Sequence, residues 1–179
     1  MQISVDGVAY RWPTAAADGP SAAPQLPATV WDDPGAIRLA TLLGGLDLFE
    51  LALEIDLDLS AIWCFQQHRD GASFAPRLLR NIRVVQRALQ DFHRDAPDDA
   101  GRLAKFLIWA SGVDGIFNLG GELRYFEQLV RQQDHQRLRA YALSCVDVCF
   151  ANYSGLHAPM IVGALVAGDA LGGGMESAL

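Results

Sequence analysis

At 179 residues with 51% hydrophobic side chains, the chain can build one domain with a sizeable core, and global disorder is excluded. Its apolar runs are too short or too interrupted to span a bilayer, and no basic stretch leads into an apolar one at the N-terminus, so a cytoplasmic setting is expected. The net charge of −7 falls in residues 1–60, with nine acidic and two basic side chains; residues 61–179 carry twelve of each sign, so there is no nucleic-acid footprint.

Residues 2–12 alternate as a short strand would, and residues 13–34 are rich in Ala, Pro, Gly and Ser, as in a linker or irregular arm. Residues 1–58 as a whole read as an acidic N-terminal segment, distinct from 59–179. Ile37 to Leu46 is helix-compatible and stops near Gly44-Gly45. From Leu51 to Leu59 apolar residues alternate with Glu54, Asp56 and Asp58, which predicts a strand with one wet face. Ala61 to Gln66 continues as a second strand, paired with the first.

After a turn at 68–71, Leu78, Ile82, Val85, Leu89 and Phe92 form one helical apolar stripe. Ser73 is the expected N-cap and Pro76 suits the first turn. Arg80, Arg83 and Arg87 share another face, either solvated or in contact with phosphate. Asp95 to Gly101 reads as a polar break and Leu103 to Ala110 as a buried strand. Helices are expected at about 122–133 and 134–152. A further buried strand runs from Met160 to Ala167, followed by a turn at Gly168-Asp169. The repeated unit is strand, glycine turn, helix, so the fold class is α/β.

Most of the remaining polar and aromatic residues have plain structural readings. Cys64, Cys145 and Cys149 lack metal spacing and read as core thiols, and no metal is expected. His68, His93, His135 and His157 show no triad or metal spacing and read as surface or turn residues. Trp63 and Trp109 read as core. Glu122 reads as a first-turn acid, and so would Glu176 if it stood alone.

Two strand–glycine–helix turns remain, at 117–121 and 171–174. The first N–H groups of a helix have no internal partner, so each turn can offer one to a negatively charged oxygen. If the parent strands lie side by side, the two donors form an oxyanion hole for an ester or thioester carbonyl. Glu176 adds a carboxylate one step away.

The strings Phe117-Asn-Leu-Gly-Gly-Glu122 and Gly168-Asp-Ala-Leu-Gly-Gly-Gly-Met-Glu176 resemble the two oxyanion signatures of the crotonase (enoyl-CoA hydratase/isomerase) superfamily, and the intervening helices resemble its diffusible-signal-factor synthase branch. The resemblance covers about residues 60–179. It implies a spiral of strand-strand-helix units, with this chain resembling its N-terminal portion. It also implies oxyanion donors at Leu119 and Gly173, substrate contacts at Gly120, Gly172 and Gly174, and a catalytic carboxylate at Glu176. The substrate would be an acyl thioester of CoA or of acyl carrier protein, with no further cofactor. The family's second carboxylate would lie beyond Leu179, as would the helices that support trimers or hexamers. The expected activity is that of a hydratase/isomerase, or of a signal-factor-synthase-like dehydratase/thioesterase. The alternative is a shortened, non-catalytic module that binds an acyl thioester or a partner.

Overall fold

The computed structural model describes residues 33–69 and 71–179, together with the backbone of two N-terminal strands, β1 (Gln2–Val5) and β2 (Val8–Arg11). Those two strands pair antiparallel, so the single strand expected over 2–12 is two. The linker expected at 13–34 lies outside the described residues up to 32; its last two residues instead start a helix.

Helix α1 (Pro34–Gly44) begins there because Asp33 accepts hydrogen bonds from the N–H groups of Gly35 and Ala36, and Pro34 fits the first turn. Arg102 pairs with the same carboxylate and, more than the two amides, holds Asp33 down at a pKa of about 2. Strands β3 (Leu51–Asp56) and β4 (Ala61–Gln66) form an antiparallel hairpin; β3 has the expected wet and dry faces but stops at Asp56, so Leu57 and Leu59 of the expected strand lie in the turn, where Leu59 is exposed. The boundary expected at residue 58 falls inside this hairpin, and Leu39, Leu43, Leu51 and Ile55 share one core with Ile62 and Leu107.

Helix α2 (Pro76–Asp95) buries the predicted stripe, each large apolar side chain contributing about 1.5–3 kcal/mol. Two buried amides fix its orientation. Asn81 accepts from the Glu50 N–H at 2.9 Å, and Gln86 donates to the Val148 carbonyl at 3.0 Å. Ser73 is not the N-cap: Ala75 holds that position without a side-chain bond, and the Ser73 hydroxyl donates to Glu122 instead. The polar break is also a helix, α3 (Pro97–Leu103), started by Pro97 with Asp98 and Asp99 in its first turn. This moves the next strand, β5, to Phe106–Ser111.

From here two strands alternate with helices. Strand β6 (Gly115–Asn118) precedes α4 (Leu123–Arg131) and α5 (His135–Tyr153), and β7 (Ile161–Ala164) and β8 (Gly168–Ala170) precede α6 (Gly173–Glu176). The first strand of each pair joins a four-stranded sheet, β3-β4-β5-β7, and the second joins a two-stranded sheet, β6-β8. That is the strand-strand-helix repeat expected. Two details differ. Strand β7 stops at Ala164 and is only half covered, with Ile161 62% exposed. The expected turn at Gly168-Asp169 is strand β8, held parallel to β6 by its Gly115–Gly168 register.

His93 is buried in α2, not at the surface, with Nε2 3.0 Å from the Ala104 carbonyl. Trp109 is buried and Trp63 half-buried. Among the described residues no helix is long and apolar enough to cross a membrane.

Candidate active site

The parallel pairing of β6 with β8 places the two glycine turns against each other. Asn118, fully buried at the end of β6, ties them together. Its Nδ2 donates to Gln66 Oε1 at 2.7 Å, and its Oδ1 accepts the Gly120 N–H at 2.7 Å. Its main-chain carbonyl accepts the Leu171 N–H of the second turn at 3.0 Å. The turns are so close that a Cβ on Gly120, whose φ is +88°, would lie 2.9 Å from the Gly173 nitrogen. A Cβ on Gly174 would lie 2.0 Å from the Asn118 carbonyl oxygen. Glycine at both positions follows from this approach.

A second network anchors the first turn to the segment before α2. The Glu122 carboxylate caps α4 at the Arg124 N–H and accepts from Ser73, while its own N–H donates to the Tyr141 hydroxyl at 2.6 Å. Tyr141 in turn donates to the Phe74 carbonyl at 3.0 Å, and burial pushes its pKa up, so it remains a donor. Glu122 is thus the structural acid expected.

Beside the turns lies a cavity of about 610 Å³, with Phe74, Trp109, Val146 and Phe150 on its apolar walls. Gly121, Gly173 and Glu176 also line it. Neither the Gly121 nor the Gly173 N–H donates to a described residue. A Cβ on Gly173 would sit 3.9 Å from the Gly121 nitrogen, so the two amides are neighbours. Glu176 is exposed in the last turn of α6 and is the one Asp or Glu side chain among the described residues that line the cavity.

The expected first donor is placed differently. The Leu119 N–H is already donated, at 2.6 Å, to the Ala72 carbonyl, and Leu119 does not line the cavity. The physical reason is the parallel bridge between Phe74 and Gly121, which brings the Ala72 carbonyl alongside the turn. Gly121, two residues on, is the residue of the first turn that lines the cavity. Gly120, Gly172 and Gly174 do not line the cavity either. Gly120 and Gly174 are buried where turn meets turn, and Gly172, at φ +48°, opens α6.

Cys145 and Cys149, expected in the core, are half-buried on the cavity wall. Burial raises the pKa of both thiols, and for Cys149 the neighbouring Cys145 and Glu176 add to that. His68 lies half-buried beside β6, with Nε2 2.9 Å from the Phe117 carbonyl, and burial lowers its pKa. Among the described residues no group of three His, Cys, Asp or Glu side chains is placed to hold a metal ion. Sequence reading missed Asn118, Gln66, Ser73 and Tyr141 as site-builders; Asn at the end of a strand before Gly-Gly was the one available signal.

No protein-family model matches the chain, and neither does any curated protein. Solved structures do. Pseudomonas aeruginosa DspI is 19% identical with a TM-score of 0.54, over 72% of this chain and 46% of that one. An enoyl-CoA hydratase from Shewanella pealeana is 15% identical with a TM-score of 0.54, over 72% and 43%. The human mitochondrial delta3-delta2-enoyl-CoA isomerase is 16% identical with a TM-score of 0.51, over 72% and 44%. The chain therefore spans less than half the length of these three structures. Over that span its fold is the crotonase fold shared by enoyl-CoA hydratases and isomerases.

Proposed function

We propose that the chain supplies the oxyanion-binding part of a crotonase-type acyl-thioester enzyme, with Gly121 and Gly173 as donors and Glu176 as the proton-transfer carboxylate. The observation that carries this reading is the adjacency of two main-chain amides, both without described acceptors, on one cavity that also presents a carboxylate. The apolar walls suit an acyl chain, and a volume of about 610 Å³ suits a small-molecule ligand.

In this reading the thioester oxygen lies between the two N–H groups. Removal of an α- or γ-proton by Glu176 drives negative charge onto that oxygen as an enolate, and the fixed donors hold it. Returning the proton to the other end of the allylic system shifts the double bond, with no net gain or loss of atoms. Hydration needs a second group to place water, and among the described cavity residues Glu176 is the sole carboxylate side chain. Isomerisation is thus the reaction these residues serve by themselves. Hydration, or the dehydratase/thioesterase chemistry of signal-factor synthases, draws on a further carboxylate. That same observation favours the second reading, a module that binds acyl thioesters without turning them over.

The test is turnover of crotonyl-CoA, longer 2- and 3-enoyl-CoAs and 3-hydroxyacyl carrier proteins by the chain and by Glu176→Gln. Turnover lost in Glu176→Gln supports the enzyme; turnover untouched by it removes Glu176 from the mechanism. Binding without turnover supports the module.

A further inference from the structure

The cavity beside the glycine turns holds two thiols that proton transfer by Glu176 does not use. Cys145 and Cys149 stand four residues apart on one face of α5, half-buried, and both line the cavity together with Gly121, Gly173 and Glu176. Cys64, by contrast, is fully buried in β4 and does not line it.

The two cavity thiols have different neighbours. Cys145 interacts with the Tyr141 hydroxyl, which already serves Phe74 and Glu122. Cys149 lies within electrostatic reach of the Glu176 carboxylate. Ser177 also lines the cavity, but its hydroxyl donates to the Gly174 carbonyl at 2.8 Å. Among the described cavity residues, Cys149 thus combines a nucleophilic atom with a neighbouring base.

Sulfur is a strong nucleophile once its proton is gone, and burial raises the pKa of the Cys149 thiol, so a base has to take that proton as a bond forms. A 2-enoyl thioester is a soft electrophile at its β-carbon, and it becomes more reactive there as its carbonyl oxygen takes up charge. Two amides that hold an enolate oxygen therefore also activate the β-carbon.

We propose that Cys149 adds to the β-carbon of a 2-enoyl thioester bound in this cavity and forms a covalent thioether adduct. The step rests on the reading of Gly121 and Gly173 as oxyanion donors and of Glu176 as proton carrier. Glu176 takes the thiol proton as the sulfur–carbon bond forms, and the π pair of the double bond moves through the α-carbon onto the thioester oxygen. The proton then passes from Glu176 to the α-carbon. One S–H bond and one carbon–carbon π bond are lost, one S–C and one C–H bond are made, and nothing leaves. Reversal through the same enolate releases the enoyl thioester.

Intact-protein mass spectrometry after an acid quench tests the step with crotonyl-CoA. The parent chain should gain the whole mass of crotonyl-CoA, placed on Cys149 by peptide mapping, and butyryl-CoA, which has no double bond, should add nothing. Labelling should be at least about tenfold faster than in the urea-unfolded chain and at least about tenfold slower in Glu176→Gln. Cys149→Ser should lose the adduct and Cys145→Ser keep it, with circular dichroism checking each fold. If Cys149→Ser unfolds, peptide mapping of the parent carries the assignment. No adduct, an adduct on Cys145 or Cys64 instead, or labelling as fast in the unfolded chain overturns the proposal. Exchange of the butyryl-CoA α-protons in deuterium oxide then tells the two failures apart: exchange without an adduct strikes the addition alone, and absence of both strikes the oxyanion reading with it.

Discussion

The contact between the two glycine turns makes Gly174→Ala a sharp perturbation. Its Cβ would fall 2.0 Å from the Asn118 carbonyl oxygen and 2.6 Å from the carbonyl carbon, both backbone atoms that no side-chain rotation can clear. The turns would have to part by more than about 1 Å to restore normal contact distance. Parting breaks the 3.0 Å Leu171-to-Asn118 hydrogen bond, a loss of about 1 kcal/mol, and adds overpacking of about 1–3 kcal/mol. Gly174→Ala should therefore destabilise the chain by about 2–4 kcal/mol. Gly121→Ala is the control, because its Cβ would meet only the Tyr141 hydroxyl, at 3.6 Å; the expected change is within about 0.5 kcal/mol. Urea unfolding followed by tryptophan fluorescence measures both. A Gly174→Ala variant as stable as the parent, or a Gly121→Ala variant as damaged as Gly174→Ala, would refute the turn-on-turn packing.

Three further perturbations probe other parts of the same structure. Proline is tolerated at the first residue of a helix but has no N–H, so Gly173→Pro should lower turnover by about 10²–10³-fold while Gly173→Ala, with ordinary contacts, retains most of it; equal activities would remove Gly173 as a donor. Burial lowers the pKa of His68 and His93, so the unfolded chain takes up their protons first on acidification. Stability from these groups is full above the ordinary value of 6.5 and is lost as pH falls below it, and His93→Gln should flatten the loss that denaturation shows as pH falls below 6.5. The Trp109 indole N–H is buried without a partner among the described residues, so Trp109→Phe should change stability by less than about 1.5 kcal/mol in the same assay, where a large loss would imply a bond to that nitrogen.

The sequence carried much of this fold because local chemistry and tertiary demand agree there. Strand β4 was legible at its observed bounds, and the α2 stripe is the buried face of the helix. Where local signals misled, a distant partner had decided the outcome. Gly168-Asp169 looks like a turn until β6 pairs with it. Asp98, Asp99 and Gly101 look like a break, although Pro97 and the acids after it are also how a helix begins. The Leu119 N–H, expected to be free as a donor, is taken by the Ala72 carbonyl, 47 positions earlier in the chain, and our proposal therefore turns to Gly121. His93 sits four residues after Leu89 on the buried stripe, a position that periodicity alone would have disclosed.

Enolate formation at the paired amides is the central claim, and α-proton exchange reports it without requiring a complete hydration cycle. Incubating an acyl-CoA in deuterium oxide and following label at the α-carbon by mass spectrometry should show exchange with the chain, falling by at least about 10²-fold in Glu176→Gln. Exchange that persists unchanged in Glu176→Gln, or its absence despite saturating acyl-CoA binding to the parent chain, would contradict the account.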